Sequence, residues 1–218
     1  RENYSQRRKR GKRFLRVCLI MLAIVSFAGF VVENIWLAFT KGFIDNRNMN
    51  APFLLGYGLL ILGFYFLFGT PGKMKLFGRK LLLTKKVLRI LCYFLLAFLV
   101  VSICEVLLGS IVEGISKVEL WNYSRLPLHV TKYTSVPTSC GFATIITVVM
   151  GKVFTPMMQW LEGMDQGHAM LLGLALTVIL VVDFLVNAFR ILRSGSLYTL
   201  WRYDIKNKRM LTGADLIS

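Results

Sequence analysis

The sequence predicts an all-α fold: a polytopic membrane bundle of about five transmembrane helices. Two observations predict it. Of the 218 residues, 56% are hydrophobic, and residues 49–72 and 134–151 contain no Asp, Glu, Lys or Arg over 24 and 18 positions. A bilayer core takes about 20 mostly apolar residues per helix. These runs also lack the two-residue alternation of barrel strands, so backbone groups inside a bilayer must be satisfied within helices.

The spans are placed near residues 14–39, 52–68, 87–112, 136–158 and 169–189. The first follows a basic stretch, as a signal peptide would. It is too long for such a segment, however, and continues through Glu33 without a small-residue cleavage site, so it reads as a retained helix. The second opens at Pro52, whose fixed φ suits a first helical turn. The third and fifth are interrupted by Glu105 and Asp183. The predicted organisation is a basic cytoplasmic tail at 1–13, a single transmembrane domain at 14–189 and a basic C-terminal tail at 190–218. No repeat stands out.

The formal net charge of +16 flanks the hydrophobic spans. That placement fits topology and contact with anionic lipid, and argues against nucleic acid as a partner. Eight Lys and Arg residues lie in 1–16, and seven more, with no acid, lie in 70–89. The intervening loops hold only Lys41 and Arg47, then Lys117, Arg125 and Lys132. The positive-inside rule therefore places the N-terminus in the cytoplasm of a multi-pass cell-membrane protein. An odd number of spans sends the basic residues after Phe189 to the other side, against that rule.

Cys18, Cys92, Cys104 and Cys140 fall in the spans without metal-ligand spacing. His129 and His168 lie on opposite predicted sides, so no metal site is expected, and the sequence names no cofactor. Acids inside membrane helices are costly and are functional candidates by default. Glu33, Glu105 and Asp183 lie six or seven residues before the expected ends of parallel helices. That spacing puts all three about 9–10 Å below one membrane face. Glu105, Gly109 and Glu113 recur at four-residue steps along one helix face. Arg47, Tyr57, Trp121 and Tyr123 come from segments on the same side, and together these residues predict a polar pocket. Each acid could instead serve helix packing alone. Trp121 and Tyr123 also suit interfacial anchoring, and Gly56-Tyr57-Gly58 suits close helix packing.

At these residues the chain resembles the family of CmpB-type putative ABC-transporter permeases. The matching stretches are Ser26 to Glu33, Asn46-Arg47, Ala51-Pro52 and Tyr57-Gly58, then Glu105 with Gly109 and Glu113. Trp121-Asn122-Tyr123-Ser124, Ser139 with Gly141, and Asp183 complete the order. The family pattern has Trp at Phe30, Gly at Asn48 and Ala51, and Asp at Asn122. Its later Gly-Arg has no clear counterpart near Thr131 to Tyr133. A carboxylate and an arginine of the pattern are therefore missing.

The resemblance implies a permease-like protein that moves a polar or cationic small solute through the acid-lined pocket. No Walker A sequence occurs, so ATP-driven transport requires a separate ATPase subunit, and five spans favour a homo-oligomer or partner. A membrane-embedded enzyme acting on a lipid or lipid-linked substrate is the alternative, since carboxylates near headgroups can act as acid or base. A non-catalytic assembly subunit is the third reading.

Overall fold

The computed structural model describes residues 4–76, 78–81 and 84–212. Helices dominate: α1 Tyr4–Lys41, α2 Leu55–Phe68, α3 Lys86–Ser116, α4 Val136–Val148, α5 Phe154–Glu162 and α6 Gln166–Ser194. One π turn at Val149–Val153 carries α4 into α5. Among the described residues, four helical stretches, α1, α3, Val136–Glu162 and Gly167–Ser194, are long and apolar enough to cross a membrane. At 14 residues, α2 is about 21 Å long, short of a bilayer core of about 30 Å. The chain divides into two compact units, one of Arg1–Leu62 with Met158–Ser218 and one of Gly63–Met157.

In the first unit, α1 and α6 run parallel. Near its start, Arg13 and Arg16 each donate to the Glu162 carbonyl, at 3.1 and 3.3 Å. The last carbonyls of a helix lack intrahelical partners and favour cations. They hold Arg16 in a site where it is only 2% exposed. Gly173 lets α6 approach α1 closely, since a Cβ there would lie 3.2 Å from both Leu19 and Ile20 side-chain carbons.

At the far end of α1, Asn34 Oδ1 accepts the Asp45 amide at 2.8 Å, which fixes β1 (Phe43–Asp45). The hairpin of β7 (Trp201–Asp204) and β8 (Arg209–Thr212) extends β1 antiparallel, with Ile44 opposite Tyr203. Arg202 stacks 4.3 Å from the Phe43 ring centre, and Arg190 lies 3.9 Å from that of Tyr198. Of the segment read as a basic C-terminal tail, residues 190–212 are the end of α6 plus a paired hairpin, and residues 213–218 lie outside the described residues. The N-terminal basic segment is helical from Tyr4, with exposed side chains. The two lie at opposite ends of α1.

The expected start of the second span is corrected. Pro52 lies before the helix, not in its first turn. The Phe53 amide turns back to the Ala51 carbonyl at 2.8 Å, closing a three-residue turn about Pro52 in place of a helical one, and the Leu54 amide donates to the Ser26 carbonyl at 2.9 Å. The chain stays irregular until Leu55. Beyond it, Gly58 brings α2 against α1, where a Cβ would come within 2.5 Å of Ser26 Oγ and 2.6 Å of the Leu22 carbonyl oxygen.

The second unit is built on α3 and α4. Tyr93, fully buried on α3, donates to the Gly69 carbonyl at 2.9 Å, and its ring centre lies 6.1 Å from that of Phe64. Gly69 opens a small meander of β2 (Gly69–Thr70), β3 (Lys73–Leu76) and β4 (Arg79–Lys80), which displays Lys73, Arg79 and Lys80. After α3 come β5 (His129–Thr131) and β6 (Thr134–Ser135). Ser135 then caps α4 by accepting the Thr138 amide at 3.4 Å.

Cysteine labelling tests the topology in a background free of native cysteines. Gly11 and Gly72 have open space around the Cβ position, and Lys206 is exposed in the hairpin turn. Cysteines at Gly11 and Gly72 are expected to resist an impermeant thiol reagent in intact cells, and one at Lys206 to react. Equal labelling of Gly11 and Lys206 would contradict the odd crossing.

Candidate functional site

Each unit gathers carboxylates at the polar ends of its helices. In the first, Glu33 sits on α1 one turn after Gly29. The Tyr57 ring occupies the space a Gly29 Cβ would need, and its hydroxyl donates to Glu33 Oε1. Arg47 donates to the other oxygen at 3.1 Å. Arg47 also lies 3.8 Å from Asp45, whose carboxylate accepts the Arg47 amide at 2.9 Å. That contact sets the turn in which Arg47 and Asn48 take φ of 50° and 63°. The glycine leaves room beside the acid, and the tyrosine fills it.

Asp183, also in the first unit, has a different role. Its Oδ1 accepts the Asn50 amide at 3.1 Å, the Asn50 side chain at 2.7 Å and the Asn187 side chain at 2.8 Å. Its Oδ2 accepts the Ala51 amide at 3.0 Å. These four neutral donors make Asp183 a clamp that ties the α1–α2 connector to α6. The same connector carries Arg47, so the clamp positions the cation that meets Glu33.

The second unit holds Glu105 and Glu113. Thr134 and Ser139 donate to Glu105 Oε2 at 2.8 and 3.3 Å, and both hydroxyl residues are buried at 4% and 0% exposure. Two turns along α3, Glu113 meets Tyr133 and Lys132. The Tyr133 ring fills the space above Gly109, its hydroxyl donates to Glu113 Oε2, and Lys132 Nζ lies 2.6 Å from the carboxylate. Lys132 also bridges to Glu119 at 3.0 Å. The Asn122 amide, first, and then Lys132 hold the Glu119 carboxyl below its usual range. Glu113 and Glu119 in turn hold the Lys132 ammonium above its own.

The expectation of equal depth is corrected. Counted to the observed helix ends, Glu33 lies eight residues before Lys41, and Glu105 and Asp183 lie eleven before Ser116 and Ser194. The depths are therefore about 12 Å and about 16 Å along the axes, because the helices extend beyond the apolar runs. Trp121 is a brace: its indole donates to the Tyr133 carbonyl at 2.8 Å, and the Tyr123 amide donates to the Lys132 carbonyl at 2.7 Å. Sequence reasoning passed over Lys132, Tyr133 and Glu119. The missing Gly-Arg of the family pattern drew attention away from Lys132, whose ammonium supplies the cation there. Gly109 four residues before Glu113, repeating Gly29 before Glu33, was the available signal.

The profile of the family described as Putative ABC-transporter type IV matches residues 20–188. The chain belongs to this family. The match spans every carboxylate described above, from Glu33 to Asp183, and it makes the protein a multi-pass member of a transporter family. Comparison with curated proteins and with solved structures gives no match.

Two outcomes follow for this member of the ABC-transporter type IV family. Asp183→Ala removes the acceptor of the Asn50 and Ala51 amides, and a hydrogen bond to a charged group contributes about 1.5–3 kcal/mol. Hydrogen exchange at those two amides should accelerate about tenfold or more, with exchange at Tyr93 unchanged. Glu119 has its pKa depressed in the folded state, so its contribution is present above the unfolded value and is lost as pH falls through the folded one. The melting-midpoint gap between wild type and Glu119→Gln should accordingly narrow as pH falls from neutral through the carboxylate range. A gap that widens on acidification would reverse the assignment.

Proposed function

We propose that this protein is the permease-like membrane component of a transporter, and that it handles a polar or cationic small solute at the carboxylate-bearing ends of its helices. The observation that carries this reading is Glu105. An acid inside an apolar helix is costly, and here two buried hydroxyls, Thr134 and Ser139, are directed at one of its oxygens. Such donors fix the orientation of the carboxylate. Glu33 with Arg47 and Tyr57, and Glu113 behind the Trp121 and Tyr123 segment, extend the polar surface of their own units, and Asp183 holds the connector in place. A separate ATPase subunit supplies the energy, as the family name implies. The chain works as a homo-oligomer or with that partner, its N-terminus on the cytoplasmic side against anionic lipid.

A second reading, an assembly subunit without transport activity, is favoured by the way Glu33 and Asp183 are engaged within the protein.

Flux measurements in proteoliposomes, with a panel of labelled small amines and cations, separate the two. Glu105→Gln keeps the shape and much of the hydrogen bonding. It should lower flux about tenfold or more, in line with loss of one charge-assisted contact, while expression and melting midpoint stay near wild type. Unchanged flux would remove Glu105 from the site. Absence of flux in the wild type, with stability gained only beside a co-purifying protein, would favour assembly.

A further inference from the structure

The α1–α2 and α3–α4 segments contain the same parts in the same order. Each long helix carries a glycine and, four residues later, a glutamate: Gly29 and Glu33 on α1, Gly109 and Glu113 on α3. Each connector supplies a cation, Arg47 or Lys132, to that glutamate. Each then supplies a tyrosine at the threshold of the returning helix, 24 residues after the glutamate in one case and 20 in the other. Both tyrosine rings occupy the space that the glycine leaves open, and both hydroxyls donate to the glutamate.

A fifth part also matches. Each cation has a second carboxylate within reach, Asp45 at 3.8 Å from Arg47 and Glu119 at 3.0 Å from Lys132.

We propose that these segments are two copies of an internal repeat, and that each copy holds a cation site. At both sites the glutamate receives an ammonium or guanidinium group of an incoming solute in exchange for the protein's own cation. The inference rests on the permease reading for its solute, and it assigns Lys132, Tyr133 and Glu119 to a second site matched to Arg47, Tyr57 and Asp45. Exchange of one cation for another leaves the charge on the glutamate balanced, which avoids the cost of an unpaired carboxylate. The displaced Arg47 or Lys132 keeps its second carboxylate, so it too stays paired. Access is present, since the Glu33 and Glu113 side chains are 23% and 28% exposed. Beside Glu113 lies an open groove of about 370 Å³ lined by Ser110, Glu113, Gly114, Lys117 and Tyr133.

Chemical rescue tests the proposal on the full chain in detergent, with methylammonium and guanidinium chloride at low millimolar concentration as probes. Arg47→Ala and Lys132→Ala each vacate one glutamate and should lower the melting midpoint by a few degrees. The probes should restore much of that loss in both variants. They should leave unchanged the double variants that also carry Glu33→Gln or Glu113→Gln. Rescue at one site alone, at neither, or equally in the double variants would overturn the proposal. Should the alanine variants not fold, Tyr57→Phe and Tyr133→Phe retain the rings and remove the hydroxyls. Similar losses of midpoint, abolished by the partnering Glu→Gln change, are then expected, and a loss at one site only would overturn the equivalence. Because this readout measures binding, rescue without flux would defeat the permease reading and leave the paired sites standing.

Discussion

A carboxylate carried within an apolar helix must find its donors inside the protein, and that constraint organises both units. Ionised groups withdrawn from water cost several kcal/mol unless they are paired and hydrogen-bonded. In this chain the donors come mainly from the connectors between helices. Glu33 draws Arg47 and Tyr57 to the end of α1, and Glu113 draws Lys132 and Tyr133 to the end of α3. Asp183 takes the Asn50 and Ala51 amides just ahead of α2. The connectors, which sequence alone marks as loops, are thereby held in defined conformations.

Glycine makes those pairings sterically possible. At Gly29 and Gly109 a tyrosine ring lies where a side chain would begin, and its hydroxyl reaches the acid one turn further on. At Gly58 the approach is of helix to helix, with a backbone carbonyl of α1 where a Cβ would stand. Small residues let helices approach in a medium that gives no hydrophobic drive to bring them together. Glu33 and Glu113 and the two glycines are therefore parts of the same design: each of these glutamates meets a tyrosine, and each of those tyrosines fills a glycine's gap.

The helical membrane class was legible because uncharged runs such as 49–72 leave the backbone no other solution. Glu33, Glu105 and Asp183 were legible as exceptional because each interrupts an apolar run, and Glu113 because it follows Glu105 and Gly109 at four-residue steps. Their partners were less so. Hydrogen bonds between Asp183 and residues 133 positions earlier leave no periodic trace. Pro52 sits in a three-residue turn closed by the Phe53 amide on the Ala51 carbonyl, so the proline alone pointed to the wrong start for α2. Lys132 and Glu119 were obscured because a lysine stands where an arginine was sought and because the carboxylate lies three residues before Asn122. The C-terminal hairpin was hidden for a similar reason: its basic residues read as a tail, whereas its strand order is set by pairing with β1, far away in the sequence.

That pairing has a consequence for biosynthesis. The first unit is made from the two ends of the described chain, and the second is the continuous stretch between them. A ribosome delivers α1 and β1 early, yet β7 and Asp183 emerge only after α3 and α4 have been made. The middle unit can therefore close while the earlier one still waits for its edge strand and its clamp. Until α6 is inserted, the Asn50 and Ala51 amides and the free edge of β1 have only water, lipid headgroups or an insertion factor as temporary partners. The last described residues to be translated thus complete a structure that the first ones began.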